Sequence, residues 1–223
     1  VYAMISNTND NLKYFLDKGI IEKEKLTVRS VKAYLDGALG SRGALLKKPY
    51  SDDNKNNGIT ITTKEELFEL AEKLSSKGFQ LNTHAIGDKA NEIVLDVYNY
   101  ILKDKEDPRW RIEHAQIIDT ADIKLFNRKI IPSVQPTHAT SDMYWAEDRL
   151  GSNRLTGAYA YKSLLEMSGR IALGTDFPVE DVSPILTFFA AVARQDKDLY
   201  PEGGYLSENK LSRIDALNGM TKW

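Results

Sequence analysis

Short apolar runs alternate with amphipathic helical periods along most of the chain, and this alternation restricts the fold more than any other feature. Residues 26–35 read as a strand ending at Asp36-Gly37. Thr63-Lys-Glu-Glu66 has the form of a capping box, after which Leu67, Leu70, Ala71 and Leu74 fall at i, i+3, i+4, i+7 and predict a helix that stops at Gly78. Residues 79–83 read as the next strand, running into His84. Asp88 is the expected cap of a helix whose stripe is Ala90, Ile93, Val94, Val97 and Ile101. A strand over 110–114 and a short helix over 119–127 follow. Residues 130–134 read as a weaker strand, because Pro132 cannot donate to a ladder. The pattern then predicts a helix over 155–167 and a strand over 170–174 leading to Thr175-Asp176. Ser183-Pro184 opens an apolar helix through Val192, and Ser212 to Asp215 caps a last one.

Five strands each followed by a helical period imply a parallel sheet covered by helices, either a (β/α) barrel or a doubly wound sheet. A closed barrel needs eight such units over roughly 250 residues. The chain has 223. The expectation is therefore an α/β fold that, if a barrel, is an incomplete one.

Composition removes several functional classes. Thirty Lys and Arg against 32 Asp and Glu leave a net charge of −2, without the basic footprint of a nucleic-acid binder. No apolar run has the length of a membrane span. There is no cysteine, hence no disulfide, thiolate nucleophile or Cys-based metal site, and with no leader in view the expected location is cytoplasmic. The polar tract at 51–58 reads as a surface loop. Glycines near Gly37 to Arg42 lack the Gly-Lys-Ser/Thr ending of a phosphate loop, and no Gly-x-Ser-x-Gly elbow is present.

In parallel α/β folds, chemistry collects at the carboxyl ends of the strands. Here Lys32 lies on the first strand of the pattern, His84 and His114 end the second and third, and Asp176 follows the fifth. Singly, each has a plain reading: a hydrogen-bonded histidine, an aspartate opening a turn, a lysine snorkelling to water. Together, neutral imidazoles and a carboxylate form a donor set for a divalent metal such as zinc. A metal of that kind lowers the pKa of bound water toward ~7, and Asp176 suits a general base that passes the proton to a leaving nitrogen. Glu113 precedes His114 and is expected on the opposite face, as a partner of Arg111. Gln116 and Gln135 read as substrate donors or supporting residues, and Tyr144, Trp145, Tyr159 and Tyr161 as pocket walls or core.

These residues carry a family resemblance. Val31-Lys-Ala-Tyr-Leu-Asp-Gly-Ala-Leu-Gly-Ser-Arg42, His84-Ala-Ile-Gly-Asp-Lys-Ala90, Arg111-Ile-Glu-His-Ala-Gln116, Val134-Gln-Pro-Thr-His138 with Asp142, and Gly174-Thr-Asp-Phe-Pro-Val-Glu180 occur in the order seen in the amidohydrolase superfamily. The chain is similar to its YtcJ-like branch, which includes N-substituted formamide deformylases. The resemblance implies a partial (β/α)8 TIM-type barrel comprising strands 4 to 8 with their helices. It also implies hydrolysis of an amide-type, non-peptide C–N bond of a small molecule by a metal-activated hydroxide. His84, His114 and Asp176 would hold a divalent metal, zinc first among candidates, as one or two ions. Lys32 would be a carbamylated bridge, Asp176 the proton shuttle, and His138 and Asp142 substrate-binding residues.

The chain also departs from the family. No His-x-His motif is present, whereas the family takes two further ligands from one on the first barrel strand. With the Val start and the strand count, the expectation is that residues 1–223 are the C-terminal part of a longer barrel domain. On that view the N-terminal strands and flanking β-sandwich are absent. The alternative function is then a non-catalytic or truncated fragment without a complete metal site. Open sheet edges would favour a homodimer.

Overall fold

The computed structural model describes residues 1–223. Its strands are β1 (Tyr2–Ser6), β2 (Ile21–Lys23), β3 (Leu26–Tyr34), β4 (Gln80–Ala85), β5 (Trp110–His114), β6 (Ile130–Val134) and β7 (Ala172–Leu173). Its helices are α1 (Asn9–Lys18), α2 (Lys64–Ser76), α3 (Asp88–Ile101), α4 (Pro136–Asp142), α5 (Ala146–Leu150), α6 (Tyr161–Ser168), α7 (Pro184–Ala193) and α8 (Arg213–Thr221). All strands belong to one sheet, ordered β1-β3-β4-β5-β6-β7. Every neighbouring pair along that order is parallel, and β2 pairs antiparallel with the start of β3. Strand order that follows chain order without reversal is the winding of a (β/α) barrel, since a doubly wound sheet reverses at a switch point. The sheet is thus a curled part of a TIM-type barrel. No helix is long and apolar enough to cross a membrane.

All five expected strands are present, and β1 with α1 adds a sixth parallel unit ahead of them. Helix α2 forms as the sequence predicts. Thr63 accepts from the Glu66 amide, Glu66 reaches back to the Thr63 amide, and Leu67, Leu70, Ala71 and Leu74 are its buried face. Burying each leucine there contributes about 1.5–3 kcal/mol. Between α3 and the sheet, Tyr98 meets Trp110 edge-on at 5.0 Å, and its hydroxyl donates to the Leu81 carbonyl at 3.0 Å. Strand β4 is buried on both faces, as a helix-covered parallel sheet requires.

Five local expectations change. Gly87, not Asp88, is the N-cap of α3; the Asp88 carboxylate instead accepts the Lys47 amide at 2.8 Å, serving the loop before α2. Residues 119–127 form only a single 3-10 turn at Ile123–Leu125, because Asp119 closes on the Ala121 amide and Lys47 clamps Asp119 and Asp122. The 155–167 helix is broken into a 3-10 turn (Ser152–Gly157) and α6. Tertiary bonds claim the intervening backbone: the Ile118 amide donates to Gly157 and the Tyr159 amide to Gln116. The last strand shrinks to two residues. Pro132 does not demote β6, which lies between β5 and β7 with Ile130, Ile131 and Val134 buried.

Candidate active site

Because β3 to β7 run parallel, their carboxyl ends share one rim, and Lys32, His84, His114, His138, Asp142 and Asp176 all line one cavity of about 760 Å³ there. The sequence-predicted residues are thus brought together. His84 and His114, from adjacent strands, stand edge to face with ring centroids 4.5 Å apart, and His138 stacks on His114 at 5.9 Å.

His84 and His114 are each positioned by a separate device. At the end of β4, Asn91 of α3 is fully buried and donates to the carbonyls of Ala85, Gly87 and Ile117, which fixes the turn below His84. Asp36, after β3, accepts the amides of Leu45, Ile86 and Gly87, and its Oδ1 lies 3.5 Å from Nε2 of His84. His114 has φ of +74° and Ala115 of +42°, a left-handed turn costly for residues with a Cβ. That turn re-aims the end of β5, so Glu113 and His114 both line the cavity rather than opposite faces. Glu113 nonetheless pairs with Arg111 at 2.8 Å, as expected. Asp176, in the loop after β7, has φ of +58°.

Burial depresses all three imidazoles: His84 to about 4, helped by Lys32; His114 well below its ordinary value, helped by His84 and Lys32; and His138 to about 4. All three are neutral at physiological pH, as metal-binding imidazoles must be. Burial also lowers the Lys32 ammonium, against the attraction of Glu113 and Asp176. The Asp176 carboxyl is raised by burial and held back by Lys32. Asp142 is pushed up to about 7 by burial and by Glu180, although Tyr159 and Gln116 donate to it at 2.7 and 2.8 Å.

The donor chemistry fits a divalent ion at the histidine pair. Nε2 of His84 is buried without a hydrogen-bond partner, and Gln135 engages only Nδ1 of His114, at 2.9 Å. No three His, Asp or Glu side chains gather into a metal-ligating cluster, so Asp176 shares the cavity without closing a triad on the pair. Of the aromatics, Trp145 lines the cavity, Tyr159 and Tyr161 are core, and Tyr144 is exposed and stacked on Tyr200. Sequence reasoning assigned no role to Asp36 or Glu180. Asp36 stands next to Gly37 at a strand end, which was the available signal.

A sequentially wound parallel sheet with histidines, a lysine and an aspartate on one strand-end rim is the architecture of metal-dependent hydrolases of the barrel type. The chain belongs to the Amidohydrolase family (Amidohydro_3), which matches over residues 6–223. It is YtcJ-like: it is 41% identical over 169 residues to YtcJ of Bacillus subtilis (strain 168), covering 74% of this chain and 31% of that protein. It is 35% identical over 210 residues to Protein LONG AFTER FAR-RED 3 of Arabidopsis thaliana, covering 92% of this chain and 36% of that one. The crystal structure of an uncharacterized metal-dependent hydrolase from Pyrococcus horikoshii superposes with a TM-score of 0.82 at 35% identity, over 98% of this chain and 44% of that one. The chain therefore spans about a third of the length of these curated relatives.

Proposed function

We propose that this chain carries the strand-end half of the active site of a metal-dependent amidohydrolase that cleaves an amide-type, non-peptide C–N bond of a small molecule. The observation that supports this best is the His84–His114 pair: two neutral imidazoles with ring centroids 4.5 Å apart, both lining the cavity that holds Lys32 and Asp176. His84, His114 and Asp176 are the proposed metal ligands, with zinc the first ion to test. A divalent ion would supply Lewis-acid polarisation of the scissile carbonyl and acidify water there. Asp176 accepts the proton released in the attack and returns it to the leaving nitrogen, a role favoured by its raised pKa beside Lys32. Lys32, lowered toward its neutral amine, is suited to add carbon dioxide, forming an N–C bond and losing a proton to give a carbamate bridge. His138 and Asp142, with Trp145 beside them, bind substrate.

The lack of a third converging ligand supports a second reading, a non-catalytic or truncated barrel. Zinc content and hydrolysis of a panel of N-substituted formamides separate the two. Stoichiometric zinc that is lost in His114→Ala, with turnover dependent on it, is the outcome expected. Protein that stays metal-free and inert would leave the second reading standing. The unpaired outer edges of β1 and β7 support a homodimer, and a stable monomer in light scattering would refute that. A cysteine-free chain suits a cytoplasmic setting.

A further inference from the structure

We propose that Gln135 is a positioning residue that holds His114 in the tautomer with its proton on Nδ1, so that the lone pair of Nε2 is presented to the cavity. Its use there rests on His114 being a site residue, as argued above.

Gln135 immediately follows β6 and is the N-cap of α4. Its side-chain oxygen lies 2.9 Å from Nδ1 of His114, and both residues are buried. An amide oxygen can only accept, so Nδ1 must donate. A neutral imidazole has one N–H, which leaves Nε2 unprotonated. Nε2 makes no hydrogen bond within the protein.

The hold on Gln135 is itself built. Its backbone carbonyl accepts the Tyr161 hydroxyl at 3.0 Å and the His138 amide at 3.1 Å. Tyr161 is fully buried and packed edge-on to Tyr159. The guanidinium of Arg194 lies over the Tyr161 ring, 4.9 Å from its centroid. Arg194 is completely buried, and its one hydrogen bond from the side chain is from Nε to the Tyr205 carbonyl at 2.9 Å. Both remaining guanidinium nitrogens lack partners, so ring contact is what this arginine offers its neighbours. The sequence Arg194, Tyr161, Gln135, His114 thus runs from α7 to the end of β5. Metal-binding histidines commonly have the second ring nitrogen fixed in this way.

With only three histidines in the chain, the side-chain nitrogens can be read directly by NMR on the full chain labelled with ¹⁵N-histidine, metal-free and at neutral pH. His114 is assigned by the signals that vanish in His114→Asn. The expected result is one tautomer protonated at Nδ1 in the wild type, conversion to a mixture or to the Nε2-protonated form in Gln135→Leu, and recovery in Gln135→Glu, which keeps an acceptor. Tyr161→Phe, which frees the Gln135 carbonyl without touching the imidazole, should also give a mixture. A wild-type His114 protonated at Nε2 would overturn the proposal, even if Gln135→Leu failed to fold. So would an Nδ1 proton that persists in a folded Gln135→Leu. Neither metal nor substrate is present, so failure here is distinct from failure of the hydrolase reading.

Discussion

The Asp36 carboxylate stands 3.5 Å from Nε2 of His84 while accepting the backbone amides of Leu45, Ile86 and Gly87. One buried side chain therefore joins the loop after β3 to the turn that carries β4 into α3. It backs the first of the two paired histidines without lining the cavity.

Replacing Asp36 by Ala strands three amide donors, two of them fully enclosed. Leaving a buried donor unsatisfied costs about 1–3 kcal/mol each, so Asp36→Ala should lose about 3 kcal/mol or more in urea denaturation. Asp36→Asn keeps one acceptor oxygen and should lose less. An alanine variant as stable as wild type would show that the loop holds itself.

The pH dependence of stability has a definite sign at His138. Its folded pKa is depressed by burial to about 4, below an unfolded value of about 6.5. Between those values the unfolded chain binds a proton that the folded chain refuses, so acidification favours unfolding. Asp36 and Asp142, raised to about 7, act in the opposite direction over an overlapping range. Comparison with a variant isolates the histidine: metal-free His138→Asn should lose less stability than wild type as pH falls from 6.5 to 4. Parallel curves from chemical denaturation at each pH would contradict this.

Gly157 is where the chain turns between the 3-10 segment and α6. A Cβ there would sit 1.7 Å from the Ile118 carbonyl oxygen, which is backbone and cannot swing away. Gly157→Ala should therefore cost at least the 1–3 kcal/mol typical of overpacking. Gly203, with open space around its Cβ position but φ of +78°, should lose only the smaller cost of a left-handed alanine. Thermal midpoints of the two variants test that order.

Much of the site was legible because it depends on strand ends, and parallel strands put their carboxyl ends on one side whatever the sheet's curvature. His84, His114, Lys32 and Asp176 needed only that rule to be placed in one cavity. The capping box of α2 and the bounds of β5 and β6 were equally local. What was not legible depends on distant backbone. The threefold anchor at Asp36 requires Leu45 and Ile86 to return to one point. The break in the 155–167 helix arises from pairing with Gln116 and Ile118, and His114 joins Glu113 in the cavity through its own left-handed turn. β1 escaped notice because Val1 to Ile5 is a short apolar run without alternation, and the face carrying Tyr2, Met4 and Ser6 is exposed although Met4 and Ser6 line the cavity.

The sequential strand order has a consequence for how the protein opens. Each parallel strand bonds only to its neighbours in the winding, so the sheet behaves as a short stack of modules rather than as a web. Its ends are its weakest members: β7 has two residues, and β1 is mostly exposed. Fraying should begin at both ends and move inward, with amide exchange slowest where β4 meets β5. The two strands that carry His84 and His114 would then be the last to part.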